Sequence, residues 1–223
     1  MADSLGDRIK RYESSYAHRL VPRSCVLVRV DGKSFHTFTK GCEKPFDQNI
    51  IDAMVIAASE TAAEMQGFKL AYVQSDEATF LLQDFDTLQT QGWFDYELNK
   101  IVSISASMFT AHFNRAYGSE NPAYFDSRAF VVPEVDWPNA FLWRQRDWER
   151  NSLQMLARAH FSHKQVQGKK APELHDMLHE KGVHWAYLDD QLKNGTFILR
   201  DGSLEHGKQC YEGIRTLVEG FEG

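Results

Sequence analysis

The sequence predicts an α+β fold: a β-α-β-β-α-β order forming an antiparallel, ferredoxin-like sheet with helices on one face, followed by a C-terminal lobe of helices and a hairpin. Three observations carry this. CVLVRV (residues 25–30) is an almost wholly apolar, β-branched run that ends in Asp31-Gly32, as a central buried strand does. FKLAYVQ (68–74) and ATFLLQ (78–83) read as strands separated only by Ser75-Asp76-Glu77, the spacing of a hairpin. Two segments with apolar residues three and four apart alternate with these strands.

The elements follow in chain order. Leu5, Ile9, Tyr12, Tyr16 and Leu20 share one helical face, so residues 4–20 form an edge helix opened by Ser4 and stopped before Pro22. Asp47 is a good N-cap, and Ile50, Ile51, Met54, Ala58, Ala62 and Met65 then keep a helical period until Gly67. A second helix spans roughly 94–117, with Leu98, Ile101, Ser105, Met108 and His112 on one face and Gly118 closing it. RAFVVP (128–133) supplies the next strand. Residues 139–161 form a long helix that passes through a Lys-rich bend at 164–170 to a helix near 172–181. VHWAYL and TFILR, around Asn194-Gly195, are expected to pair as a terminal hairpin. This gives a sheet-containing domain over 1–137 and a helical region over 138–223 that packs on it.

Composition narrows the class. A chain of 223 residues, 43% hydrophobic and 25% charged, can bury one sizeable core. Its net charge of -6 provides no global field for a nucleic acid, so such a partner must be met by a local patch. Cys25, Cys42 and Cys210 match no zinc-binding spacing and read as free thiols of a reducing compartment. With no apolar leader and no membrane-length apolar window, a cytoplasmic protein is expected.

In the expected topology the first and third strands are antiparallel neighbours, which brings Asp31 beside the turn carrying Asp76 and Glu77. Crowded carboxylates repel one another unless cations bind between them, and hard oxygen donors select Mg²⁺. Two such ions would lower the pKa of an attacking hydroxyl and neutralise a leaving pyrophosphate. Asp31, Asp76 and Glu77 are therefore the candidate catalytic residues. Side chains alternate along a strand, which leaves Glu77 as the member free to face away from Asp76. Gly32 leaves room for backbone to approach metal and phosphate. Lys33, Ser34, Phe35 and His36 follow directly. Their N–H groups, with Ser34 and His36, can surround a triphosphate, Phe35 being mainly core, and Lys44 can reach the same phosphates. Arg29 lies on the face of Asp31, where it can orient the site, and it joins Arg144, Arg150, Lys164, Lys169 and Lys170 as a candidate phosphate- and RNA-binding residue. Residues 144–170 hold Arg144, Arg146, Arg150, Arg158, Lys164, Lys169 and Lys170 against only Asp147 and Glu149, a run that suits either a solvated helix face or an RNA backbone. Trp143 and Trp148 are expected to pack beneath the helix rather than stack on a base.

VRVDGKSFHTF with Lys44-Pro45, then AYVQSDEATF, FDSRAFVVP (125–133) and LWRQRD (142–147), together resemble the tRNA-His guanylyltransferase family of 3′-5′ nucleotide-adding enzymes. The resemblance spans nearly the whole chain, and the pair D-G-x-x-F-H and Q-S-D-E is its most specific part. It implies a polymerase-like palm in which Asp31, the Gly32 carbonyl and Asp76 bind two Mg²⁺. It also implies a triphosphate held by residues 31–36 with Ser75 and Asp76, and functional positions at Lys44, Glu77 and Asn151. ATP, GTP or another NTP and tRNA would be the substrates, and the assembly a homo-tetramer. One segment departs from the family. Where members dedicated to tRNA-His carry H-I-N-N-L-Y-N, this chain reads Glu149-Arg150-Asn151-Ser152-Leu153-Gln154-Met155, keeping only Asn151 and Leu153. That resembles the guanylyltransferase-like branch, which repairs 5′-truncated tRNAs by copying the opposing strand. A dedicated guanylyltransferase that adds a single G remains the alternative. A nucleotide cyclase or two-metal phosphohydrolase would want the same carboxylates but not the 144–170 basic run, and a non-enzymatic RNA binder has no reason to cluster acids beside phosphate.

Overall fold

The computed structural model describes residues 4–220. Helix α1 (Leu5–Ser14) is capped by Ser4, whose hydroxyl accepts from the Asp7 N–H at 3.1 Å. It stops well short of the expected end. The Ser14 and Ser15 hydroxyls donate to the carbonyls of Arg11 and Tyr12, and no residue of α1 is buried, so no packing sustains a longer helix. The chain then makes a bridge between Arg19 and Glu97 and bends at residues 22–24 into the first strand.

Strands β1 (Cys25–Gly32), β2 (Phe68–Gln74), β3 (Glu77–Leu82) and β4 (Phe125–Val132) occupy the expected positions. Between them lie α2 (Phe35–Phe38), α3 (Gln48–Glu64) and α4 (Leu98–Tyr117), the last preceded by a 3₁₀ turn over Trp93–Tyr96. Asp47 caps α3, its carboxylate accepting from the N–H groups of Asn49 and Ile50. The C-terminal part supplies α5 (Trp137–His160), α6 (His163–Val166), α7 (Ala171–Glu180), α8 (Asp190–Asn194), β5 (Thr196–Leu199), β6 (Leu204–Glu205) and α9 (Tyr211–Glu219). The six strands run in the order β4-β1-β3-β2-β5-β6, every pair antiparallel. No helix among the described residues is long and apolar enough to cross a membrane.

Alternation along β1 divides the core. Val26, Val28 and Val30 pack with Met54 and Ala58 of α3 and Ile101, Phe109 and Phe113 of α4. Cys25 and Leu27 face the other way, joining Leu70, Tyr72 and Leu81 against Phe141 of α5 and Ile214 and Val218 of α9. The helices of the βαββαβ unit cover one face, and the C-terminal helices cover the other. Burial on both faces explains why residues 25–30 contain so little polarity. A third cluster of Leu153, Leu156, Ala157, Val166, Leu174 and Leu178 ties the end of α5 to α6 and α7.

The expected pairing of VHWAYL with TFILR does not occur. Residues 185–187 form a 3₁₀ turn, and β5 instead extends the sheet, setting Phe197 opposite Tyr72 on β2 and pairing with Leu204 and Glu205. Asn194-Gly195 ends α8 rather than turning a hairpin: the Tyr72 hydroxyl donates to the Asn194 carbonyl at 2.7 Å, and Gly195 adopts φ +75°.

A Cβ at Gly195 would stand 2.6 Å from the Tyr72 hydroxyl and 2.8 Å from the Val73 carbonyl oxygen, at a positive φ that side chains resist. Gly195→Ala is expected to lower the free energy of unfolding by about 1–3 kcal/mol in urea titrations. A variant as stable as the parent would contradict this seating of β5 on β2.

Candidate active site

The end of β1 closes onto the β2–β3 turn. The Gly32 N–H donates to the Asp76 carbonyl at 2.9 Å, and the register sets Asp31 opposite Glu77 on one side and Asp126 on the other. Two local features make the closure possible. Ser75 takes the left-handed conformation, φ 50°, and its hydroxyl donates to Asp76 Oδ1 at 2.9 Å. A Cβ at Gly32 would lie 2.5 Å from the Phe35 ring and 3.0 Å from Asp76 Cβ, so a side chain there would prise the turn away.

Beside this edge opens a cleft of about 420 Å³. Gly32, Ser75 and Asp76 line it at the sheet edge, Ser34, Phe35 and His36 of the α2 turn beside them, and Lys44 and Phe46 from the loop beyond. Ser34, also left-handed at φ 52°, starts α2, and its carbonyl accepts from the N–H groups of Thr37 and Phe38, which leaves those of Phe35 and His36 at the open start of the turn. Lys44 Nζ donates to the Thr39 carbonyl at 3.2 Å. Phe35 is both core and wall, packed on Phe38, Phe113 and Phe125. The far wall comes from α5, through Trp148 and Met155. Of the two tryptophans expected to pack beneath the helix, Trp143 is instead 55% exposed and covered on one side by the Arg144 guanidinium, whereas Trp148 is 4% exposed, its ring approaching Phe46 with centroids 6.3 Å apart and bordering the cleft.

Burial holds the Asp76 carboxyl above the usual carboxylate range; the Ser75 and backbone hydrogen bonds oppose this, and the nearby charge of Asp31 adds to it. Arg128 Nη2 stands 3.7 Å from Asp31 and 3.1 Å from Asp126. Among the described residues no three His, Cys, Asp or Glu side chains gather closely enough to hold a metal. Asp31, Asp76 and the Gly32 carbonyl form a sparse, all-oxygen donor set. That suits Mg²⁺, which takes one or two carboxylates and completes its shell with substrate phosphates and water.

Glu77 is not a third free carboxylate at this edge. It is 8% exposed, with Arg144 Nε donating to Oε1 at 2.6 Å and Arg29 Nε 3.8 Å from Oε2. Burial raises its pKa against the opposing pull of Arg144 and Arg29. Arg29 and Arg144 accordingly leave the expected phosphate-binding set, because both are turned inward onto Glu77. Arg150 is exposed and paired with Asp147 at 2.5 Å, and Lys169 with Glu173 at 2.8 Å, while Lys164 and Lys170 face solvent. Asn151 does not line the cleft; its amide lies 3.4 Å from Asp147 Oδ2. Lys33 is exposed beside the cleft, its N–H donating to the Tyr124 carbonyl.

Sequence patterns did not single out the apolar lining of Phe46, Ile50, Ile51, Trp148 and Met155. The available signal was the separation of Trp148 and Met155 by seven residues, which puts both on one face of α5.

A protein-family model described as Thg1: tRNAHis guanylyltransferase matches residues 6–133. The tRNA(His) guanylyltransferase of Schizosaccharomyces pombe is 30% identical, over 90% of this chain and 82% of that protein; that of Saccharomyces cerevisiae is 27% identical over 99% of this chain and 100% of that protein. A bacterial tRNA(HIS) guanylyltransferase (Thg1)-like protein in complex with ATP superposes with a TM-score of 0.92 and 43% identity, covering 98% of this chain and 99% of that one. A structure of a bacterial tRNA(HIS) guanylyltransferase (Thg1)-like protein in complex with GTP gives a TM-score of 0.86 and 39% identity, covering 99% of both chains.

An acid whose folded-state pKa is raised destabilises the fold above that pKa and not below its unfolded value. The penalty therefore grows as pH rises from about 4 through the folded pKa. Metal-free Asp76→Asn protein should melt higher than the parent at pH 7, with the gap closing toward pH 4 in thermal scans. A variant that melts lower at pH 7 would mean that Asp76 is held by contacts that favour its charge.

Proposed function

As the chain belongs to the tRNAHis guanylyltransferase family, we propose that it extends the 5′ end of tRNA in the 3′-5′ direction, copying the opposing strand to repair truncated ends. It is a nucleotidyltransferase. The observation that carries the reading is that Asp76 and Gly32, the residues adjoining Asp31 at the closed sheet edge, line a cleft of nucleotide size. Two features support the repair branch. Identity to the bacterial Thg1-like protein, 43%, exceeds the 27–30% shared with the fungal tRNA(His) guanylyltransferases. The segment Glu149–Met155 also lacks most of the motif of the dedicated enzymes.

The chemistry follows from the placement of groups. Asp31, the Gly32 carbonyl and Asp76 would hold Mg²⁺, which when bound counters triphosphate charge and lowers the pKa of an attacking hydroxyl. The N–H groups of Phe35 and His36, with the side chains of Ser34, His36 and Lys44, belong to cleft-lining residues and suit triphosphate oxygens. Phe46, Ile50, Trp148 and Met155 offer apolar surface to a base. In the first step a 5′-phosphate oxygen of the tRNA attacks the α-phosphorus of ATP, and pyrophosphate leaves. In the second, the 3′-hydroxyl of the incoming NTP attacks the activated 5′ phosphorus, and AMP leaves. Removal of pyrophosphate from the new end completes the cycle. Solvent-facing Arg146, Arg150, Arg158, Lys164 and Lys170 suit the RNA backbone. Leu5, Ile9 and Tyr12 on α1 and Tyr16 just past its end, 46–73% exposed, support assembly of several copies, with a homo-tetramer as the expected state.

The test is extension of a 5′-labelled tRNA lacking its first nucleotide, with Mg²⁺, ATP and each NTP in turn. Growth is expected only with the NTP complementary to the opposing base, abolished by EDTA and reduced about 100-fold or more in Asp76→Ala. Addition of G alone, and only to tRNAHis, would replace templated repair with dedicated guanylylation. No extension, even of a 5′-triphosphate RNA, would overturn both.

A further inference from the structure

We propose that Glu77 and Arg144 are a positioning pair that fixes α5 against the catalytic edge and thereby sets the width of the nucleotide cleft. The inference rests on the reading of that cleft as nucleotide-binding.

The connection is short and nearly dry. Both side chains are 10% exposed, and Arg144 Nε donates to Glu77 Oε1 at 2.6 Å. Arg144 also donates from Nη2 to Asp147 at 3.1 Å, and its guanidinium lies over the Trp143 ring, 4.4 Å from the centroid. With three sides engaged, the planar fork has one orientation available. The positions of the partners in the chain give the pair its consequence. Glu77 immediately follows Asp76, the carboxylate lining the cleft at the sheet edge; Asp147 immediately precedes Trp148, the cleft wall. Arg144 is one helical turn from Trp148, and Met155 lies two further turns along the same face. A displacement of Arg144 therefore moves Trp148 and Met155 relative to Phe46 and the Asp76 turn.

Arg29 completes the charge balance. It approaches the second oxygen of Glu77 at 3.8 Å, and its buried Nε has no hydrogen-bond partner. Loss of Glu77 alone leaves two inward arginines facing each other, and loss of Arg144 alone leaves a buried carboxylate with only the longer contact. Removing one partner of a buried pair costs far more than replacing both with neutral groups of similar shape. A group that acts directly on the reacting phosphates shows no such recovery.

The experiment compares Glu77→Gln, Arg144→Gln, the double variant and Arg144→Lys with the parent. ATP binding is measured by calorimetry with Mg²⁺ present, and kcat and KM for the NTP are measured in the extension assay. Each single change to Gln is expected to weaken ATP binding about tenfold, with the double variant returning to within about threefold of the parent. Arg144→Lys keeps the charge but not the fork, and should raise KM more than it lowers kcat. Should either single Gln variant fail to fold, Arg144→Lys carries the test alone, and an unchanged Kd and KM for it overturn the proposal. The proposal also falls if the double variant is as impaired as Glu77→Gln while ATP affinity stays at the parent value, since Glu77 then serves the chemistry itself. A parent protein that binds no ATP would sink the nucleotide reading of the cleft; a parent that binds ATP, with variants that bind it equally well, sinks only the pair.

Discussion

The hydrogen bond from the Gly32 amide to the Asp76 carbonyl closes the end of β1 onto the β2–β3 turn, and the site is assembled around that closure. It fixes a register in which Asp31 stands opposite Glu77 and, on the other flank, Asp126. A slip by one residue would send Val26, Val28 and Val30 to the α5 face and strip the α3–α4 core of its floor, so the packing of the sheet enforces the position of the carboxylates. The closure also needs backbone that few residues adopt. Gly32 must lack a Cβ because of Phe35, and Ser75 must turn left-handed. The same two residues line the cleft, so the condition for folding the edge and the condition for admitting a ligand coincide.

Charge in this region is organised in two groups. Burial, with a smaller contribution from the charge of Asp31, keeps the Asp76 carboxyl above its ordinary range. One residue further along, Glu77 is enclosed by Arg29 and Arg144. Neutralising Glu77 from within the protein leaves the Asp31–Asp76 pair as the place where external positive charge is needed. The C-terminal helices contribute twice: α5 supplies the arginine that quiets Glu77, and one turn later it supplies the wall of the cleft.

The juxtaposition of Asp31 with the Asp76 turn was legible in the sequence because its signals are local. An apolar β-branched run ending in Asp-Gly and a polar three-residue turn between two strands each dictate backbone geometry within a few residues. The order of elements then brings them together. What α5 contributes was not legible in the same way. A basic residue in a helix reads identically whether it faces solvent or a partner that lies far along the chain, and Arg144 meets Glu77 across 67 positions. Trp148 likewise reads as packing, which it is; that it also borders a cavity depends on Phe46, set by a different loop. The Asn194-Gly195 pair misled for a related reason. It has the composition of a hairpin turn, but the helical cap of α8 and the Tyr72 hydroxyl claim it first.

Turning Arg144 inward changes what the 144–170 segment can offer a polyanion. Arg150 shares its charge with Asp147, and Lys169 with Glu173, so the cations facing solvent without such a partner are fewer than the sequence count suggests. In a chain of net charge -6, that leaves a modest electrostatic attraction for RNA. Affinity of that kind holds a backbone without reading its sequence. For the proposed repair reaction this is sufficient: the opposing strand supplies base identity through pairing, and the protein has only to bring one 5′ end to the Asp31–Asp76 edge while α5 keeps the nucleotide cleft at a fixed width.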